Sequence, residues 1–240
     1  MNARWVGVSV ILVVGGAAWA ACGAEPAAIS LVGKDVSAWR QPVGQWRVAA
    51  DVKPGGADNR LLVATPGAGV IVNGDTGRTS NLLTQQEHGD VEAHIEFVVP
   101  KGSNSGVYFQ ARYEIQILDS WGVEKPKYGD CGGIYERWAN GRGFEGHAPR
   151  VNASRAPGEW QTFDVVFRAP RFDAAGRKLA NARFVKVVHN GIVVHENVEV
   201  TGPTRASTFQ DEKPAGPLML QGDHGPVAYR NIQLRPLPAQ

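Results

Sequence analysis

No stretch of this chain after residue 25 keeps apolar residues at helical spacing for three turns. Short segments instead alternate apolar with polar at a period of two, the mark of a half-buried strand. Val91-Glu92-Ala93-His94-Ile95-Glu96-Phe97 does so throughout, and Phe163 to Arg168 nearly so. Arg183 to His189 and Ile192 to Val198 flank Asn190-Gly191, a dipeptide suited to a two-residue hairpin turn with positive φ. Val107 to Gln110 and Tyr113 to Leu118 predict a second hairpin, turning at Ala111-Arg112. Leu218 to Gln221 and Tyr229 to Leu234 supply two late strands. The 29 Gly and 15 Pro punctuate these segments with turns. Many short strands so punctuated predict an all-β fold, an antiparallel sandwich or jelly roll. The 240 residues are enough for one such sandwich or two small domains.

Charge narrows the function classes. With 25 Lys and Arg against 23 Asp and Glu, the chain lacks the basic surplus of a nucleic-acid binder. Two cysteines cannot frame a disulfide scaffold. Cys131 reads as a small buried hydrophobe rather than a nucleophile.

The N-terminus has the layout of a secretory signal peptide. Arg4 precedes an apolar run from Val6 to Val14, and Ala18 and Ala20 stand at −3 and −1 of a cleavage site. Residues 1–20 are therefore expected to be removed and the protein exported, to a periplasm or beyond the cell. Lipidation at Cys22, which would put the protein on a membrane, ranks second. A retained anchor ranks last, although Trp5 to Cys22 carries no charge.

The longest irregular stretch runs from Ser120 to Glu159 and holds Trp121, Tyr128, Tyr135, Trp138 and Phe144. Loops this long carry function or are disordered, and so many aromatics argue against disorder. Exposed aromatics would suit sugar stacking, while any single one is more simply a plug holding the loop to the body.

Tyr113-Glu114-Ile115-Gln116-Ile117-Leu118-Asp119 is the densest polar strand. Glu114 and Gln116 share one face, and Ile115 and Ile117 point into packing. A bulge near Leu118 would bring Asp119 onto the Glu114 face. Laminarinase-type sandwich glucanases space their carboxylates as E-x-D-x-x-E, but here the pattern is E-x-Q-x-x-D. Paired-carboxylate cleavage needs separations of about 5–5.5 Å or about 6.5–9.5 Å. The central amide and the short Asp speak against it. The plain alternative is a solvated strand face ending in a turn Asp.

Gln221-Gly222-Asp223-His224-Gly225-Pro226 lies in a turn between two strands. His224 can act as an acid or base near neutral pH, oriented by Asp223; a surface turn is the plainer reading. His94 sits with Glu92 and Glu96 on a polar face, metal-binding or simply wet. His147 lies in the long loop, and His189 and His195 look like hairpin surface. No zinc-ligand spacing, nucleophile elbow, P-loop or dinucleotide motif occurs, so no nucleotide cofactor is expected. Asn152-Ala153-Ser154 matches a glycosylation acceptor.

Ten short motifs, in order, carry a resemblance. Gly89-Asp90-Val91-Glu92, Ser103 to Tyr108, Tyr113 to Ser120, Cys131 to Tyr135 and Asn152 to Ser154 come first. Pro157 to Trp160, Ala169 to Asp173, His189 to Gly191, Gly202 to Thr204 and Leu220 to Gly225 follow. Together they resemble the 3-keto-disaccharide hydrolase domain family, over residues 29–237, with residues 21–28 as a short leading segment. The resemblance implies a concanavalin A-like jelly-roll β-sandwich of two antiparallel sheets and an exported enzyme acting on 3-keto-glycosides. In that chemistry a ketone acidifies the neighbouring C2 proton, a base removes it, and the group on C1 leaves by β-elimination. Such a site needs a base, stabilisation of an enolate by a metal, an Arg or hydrogen-bond donors, and a proton for the leaving oxygen.

The expected roles follow from that list. Glu114 is the base or a metal ligand, and His224 the proton donor or a metal ligand. Asp119 is a second carboxylate, and Arg112 stabilises the developing negative charge. Gln116, Asn104, Tyr108, Gln221 and Asp223 line the pocket or orient substrate. A divalent metal is possible and its identity open. Two other functions compete: a non-catalytic carbohydrate-binding module, since fold alone does not decide activity, and a laminarinase-like glucanase. Convergence of titratable groups in one concavity separates an enzyme from a binding module.

Overall fold

The computed structural model describes residues 27–238. The predicted signal peptide and Cys22 lie outside the described residues. Sixteen strands are found among those described: β1 (Ile29–Ser30), β2 (Arg47–Gly55), β3 (Leu61–Val72), β4 (Leu82–His88), β5 (Val91–Val98), β6 (Asn104–Phe109), β7 (Tyr113–Leu118) and β8 (Arg137–Ala139). They continue with β9 (Arg142–Phe144), β10 (Gln161–Arg168), β11 (Arg171–Phe172), β12 (Lys178–Ala180), β13 (Ala182–His189), β14 (Ile192–Val200), β15 (Gly216–Leu220) and β16 (Ala228–Pro236). Helical structure is confined, among these residues, to one 3-10 turn, Ala57–Asn59. Among the described residues no helix is long and apolar enough to cross a membrane.

An eight-stranded sheet runs β14-β13-β10-β5-β16-β3-β2, with β1 paired to β16. A four-stranded sheet runs β4-β15-β6-β7. Pairing is antiparallel throughout both. The alternation read from the sequence is the alternation of burial. Ala93, Ile95 and Phe97 of β5 and Phe163, Val165 and Phe167 of β10 face inward. From the smaller sheet, Val107, Phe109, Ile115 and Ile117 join them in one apolar cluster. Phe109 meets Phe167 across the layers at 5.1 Å between ring centroids, within the range for favourable aromatic pairs. This is the expected all-β, concanavalin A-like sandwich.

The Asn190-Gly191 hairpin forms as predicted, with φ of 50° and 82° at its two turn residues. The β6–β7 turn differs. Phe109 pairs with Tyr113, so the loop is three residues long, Gln110 to Arg112, and Gln110 and Ala111 take the left-handed conformation. His189 and His195 are not hairpin surface. His189 is fully buried, with Nε2 2.9 Å from Gln161 Oε1, and burial pushes its pKa down to about 4. His195 Nε2 donates to the Gly132 carbonyl at 2.8 Å, and burial likewise pushes it down to about 4. Both rings are packed because a polar partner waits for them inside. Cys131 is buried, and desolvation pushes its thiol up to about 12, out of nucleophilic range. Asn152 donates through Nδ2 to the Ser120 and Val123 carbonyls, tying down the long loop.

β7 is the edge of the smaller sheet by strand order, yet its edge is covered. Gln116 N donates to the Gly133 carbonyl and Gly132 N to the Gln116 carbonyl, both at 2.8 Å. Tyr135 N donates to the Glu114 carbonyl at 3.1 Å, and Thr204 Oγ1 accepts from Glu114 N at 3.1 Å. Two distant segments thus close an edge that would otherwise offer unpaired backbone groups. They also bring their next side chains over the outer face of the sheet.

Candidate active site

On that outer face a cavity of about 190 Å³ is lined by Asn104 and Tyr108 from β6, Glu114 and Gln116 from β7, Tyr135, Arg205 and Ala206 from the covering segments, and Gln221 and His224 from the β15–β16 turn. Its floor is buried: Tyr108, Glu114, Gln116 and Gln221 are each at most 5% exposed. Its rim is open at His224 and Arg205.

Glu114 is the deepest charge-bearing group. Tyr108, directly opposite on β6, bonds to its carboxylate. Burial nevertheless pushes Glu114 up to about 8, and the Asp223 charge adds to the rise. In return, burial and the Glu114 charge raise the Tyr108 phenol well above its ordinary range. The space for the carboxylate comes from Gly106, paired opposite Gln116, where a Cβ would lie 2.2 Å from Glu114 Oε1. Gln116 Nε2 reaches Asn104 Oδ1 at 3.4 Å, and Gln221 Nε2 reaches the Tyr108 hydroxyl at 3.5 Å.

His224 approaches from the other side of the mouth. Its Nδ1 lies 2.6 Å from Asp223 Oδ1, which leaves Nε2 for a ligand. The turn that carries it is fixed by fully buried Asn73, whose Nδ2 donates to the Gly222 and Gly225 carbonyls at 3.1 and 2.8 Å. Asn73 Oδ1 accepts from Val227 N at 2.8 Å.

Two expected members stand elsewhere. Arg112 is 3% exposed and turned to the 209–211 loop. Its Nη2 lies 2.8 Å from Asp211 Oδ1, its Nη1 donates to the Gln110 carbonyl, and it stacks 4.8 Å from the Phe209 centroid. The three-residue loop after β6 aims it there. Asp119 does not join the Glu114 face, because the β6–β7 register runs without a bulge. Its Oδ2 accepts from Gly102 N at 2.8 Å, which makes it the clasp of a turn.

The cation of the site is Arg205 instead. Its guanidinium lies 3.9 Å over the Trp138 ring, and Nη1 is 3.3 Å from Glu136 Oε1. Arg205, Tyr135, Ala206, Asn73 and Gly106 carried no periodic signal. The local clues were position: Gly106 lies in the Ser103–Tyr108 motif, Tyr135 ends the Cys131–Tyr135 motif among the long-loop aromatics, and Arg205 follows Gly202-Pro203-Thr204.

A larger groove, about 330 Å³, crosses the outer face of the eight-stranded sheet. Its polar groups satisfy one another, His94 with Asp164 at 2.6 Å and Arg235 with Glu92 at 3.4 Å, as on a wet sheet face. Among the described residues no three His, Cys, Asp or Glu side chains gather in a way that could hold a metal ion. Within the pocket, Glu114 and His224 are the pair that could contribute ligands.

A family model described as a 3-keto-alpha-glucoside-1,2-lyase-like domain matches residues 27–235. Among solved structures, a Parabacteroides distasonis protein named as a glycosyl hydrolase is 29% identical, with a TM-score of 0.66 over 88% of this chain and 84% of its own. A second protein from that organism, similarly named, is 22% identical, with a TM-score of 0.56 over 88% of this chain and 100% of its own. The second likeness bears on fold alone. A search of curated proteins finds no match.

Proposed function

We propose, from the premise that this chain belongs to the 3-keto-alpha-glucoside-1,2-lyase-like domain family, that it is an enzyme cleaving 3-keto-glycosides by β-elimination. The family supports a carbohydrate-processing or carbohydrate-binding role. The observation that carries the choice of catalysis is Glu114, a carboxyl buried at the bottom of a ring-sized pocket and pushed up to about 8. A general base is most effective with a pKa near the working pH.

The steps follow from the chemistry of the substrate. The Glu114 carboxylate takes the proton from C2, made acidic by the C3 ketone. The electron pair forms the enolate, whose oxygen is stabilised by Arg205, with Tyr135 as a hydroxyl donor. The enolate oxygen then re-forms the C3 carbonyl, and the C2–C3 π pair forms a double bond between C1 and C2 as the C1–O bond breaks and its pair leaves with the oxygen. The leaving oxygen takes a proton from His224, held by Asp223. Water added across the double bond gives the free 3-keto sugar. Gln116, Asn104 and Gln221 supply the hydrogen bonds that orient the ring hydroxyls. Glu114 is the one carboxylate lining the pocket among the described residues, so the paired-carboxylate cleavage of a laminarinase-like glucanase lacks its second group. The N-terminal pattern supports export of this enzyme.

Turnover followed by NMR, with a 3-keto-disaccharide against the plain disaccharide, tests the reading. The keto sugar is expected to be consumed and the plain sugar left intact. Inertness toward both would move the protein to the binding modules. Loss of turnover with a chelator would add a metal held by Glu114 and His224.

Gly106→Ala tests the geometry. The new Cβ forces the Glu114 carboxylate aside, while the strand tolerates alanine. Thermal unfolding should change little, while kcat/KM falls by about a hundredfold, the cost of an ångström-scale misplacement. Wild-type kinetics in this variant would show that the carboxylate position does not matter.

A further inference from the structure

The pocket is too small for a whole disaccharide. At about 190 Å³ it falls below the roughly 300–1,000 Å³ of sites that enclose drug-sized ligands. If the keto ring sits over Glu114, as the proposed function requires, the group leaving from C1 must lie across the rim.

One side of that rim is built to receive it. The β8–β9 ribbon follows Tyr135 directly and is held rigidly. Glu136, 6% exposed, has its carboxylate packed where a Cβ at Gly143 would lie. Arg137 fills the space left open by Gly202, lies 4.9 Å from the Phe144 centroid, and bonds to Thr201 and Glu145. On this fixed ribbon Trp138 is 46% exposed. Its ring backs the Arg205 guanidinium that forms the pocket wall. A large aromatic kept half in water on a pinned ribbon, one guanidinium away from the pocket, has the makings of a stacking platform. Glu136 offsets the charge of Arg205 at 3.3 Å, so the platform favours an uncharged partner.

We infer that the Arg205–Trp138 stack is the leaving-group subsite of this enzyme, taking an uncharged group with a flat apolar face, such as a second pyranose ring or an aryl group. Trp138 then sets substrate choice without taking part in the elimination. The inference rests on the proposed function, and its test separates the two.

The measurement is kcat/KM for 4-nitrophenyl 3-keto-glucoside and for methyl 3-keto-glucoside, in wild type, Trp138→Ala and Trp138→Phe. The ratio of the two constants, aryl over methyl, is expected to fall about tenfold in Trp138→Ala and to recover largely in Trp138→Phe. The loss should appear in KM. An unchanged ratio would overturn the subsite while leaving the enzyme reading in place. An equal loss on both substrates would overturn it too, because Trp138 would then act only by holding Arg205. A wild-type protein that turns over neither substrate would instead remove the enzyme reading, and the subsite with it.

Discussion

Glu114→Gln is expected to lower kcat on a 3-keto-glucoside by about 10²- to 10⁴-fold, the range set by a positioned general base. The amide keeps the shape and the Tyr108 contact but cannot accept the C2 proton. Unchanged turnover would remove Glu114 from the role. The same variant separates catalysis from stability through pH. In the folded protein Glu114 titrates at about 8, above its ordinary 4.5, because burial disfavours its charge. The folded state therefore holds a proton that the unfolded chain has already released between these values. This contribution to stability is full below about 4.5 and is lost as pH rises through about 8. Activity runs the other way on its acid limb, since only the carboxylate is a base: kcat/KM should rise with pH toward about 8. Glu114→Gln has no proton to lose. Its unfolding free energy, relative to wild type, should rise between about pH 5 and about pH 9 by an amount on the order of a few kcal/mol. Parallel stability curves for the two proteins would show that Glu114 does not titrate as described.

Arg205→Met is expected to lower kcat/KM by about 10²- to 10³-fold, the usual cost of removing one donor to a developing oxyanion. Methionine keeps much of the apolar stem against Trp138 and lacks the charge. Arg205→Lys should recover only part of the loss, because an ammonium cannot at once stack on Trp138 and bond to Glu136 in one plane. The fold should survive, since Arg205 is half exposed and buried Glu136 retains a hydrogen bond from Tyr128. Activity within a factor of two of wild type in Arg205→Met would place the enolate stabilisation elsewhere. Arg112→Met offers a contrast. It leaves Asp211 without its partner and Phe209 without its stacking cation, so it should reach the reaction only through stability.

The strand pattern of the sequence was legible wherever one side of a strand faces the core. β5 and β10 alternate because their inward residues pack and their outward ones do not. For the same reason Glu114 and Gln116 could be placed on one face, and with Tyr108, Asn104, Gln221 and His224 they line a single pocket. What alternation cannot encode is the exit direction of a loop. One extra residue in the β6–β7 turn sends Arg112 to Asp211. A straight register leaves Asp119 clasping Gly102. Arg205 and Tyr135 reach the site because Thr204 and the Gly132–Tyr135 segment bond to the edge of β7, a long-range pairing with no local period. His189 and His195 looked exposed because they flank a turn. Their burial depends on Gln161 and Gly132, which only the folded chain brings near.

The place of β16 sets a limit on how this protein can be made. Residues 228–236 form the inner strand between β5 and β3, so the large sheet is split until they arrive. A nascent chain halted before this point has most of its strands but no continuous sheet on which to close the core. Closure of the core must then wait until these residues have been made, with its dominant contacts far apart in sequence and slow to form. The His224 turn immediately precedes that strand, so one continuous segment both seals the sheet and completes the mouth of the pocket.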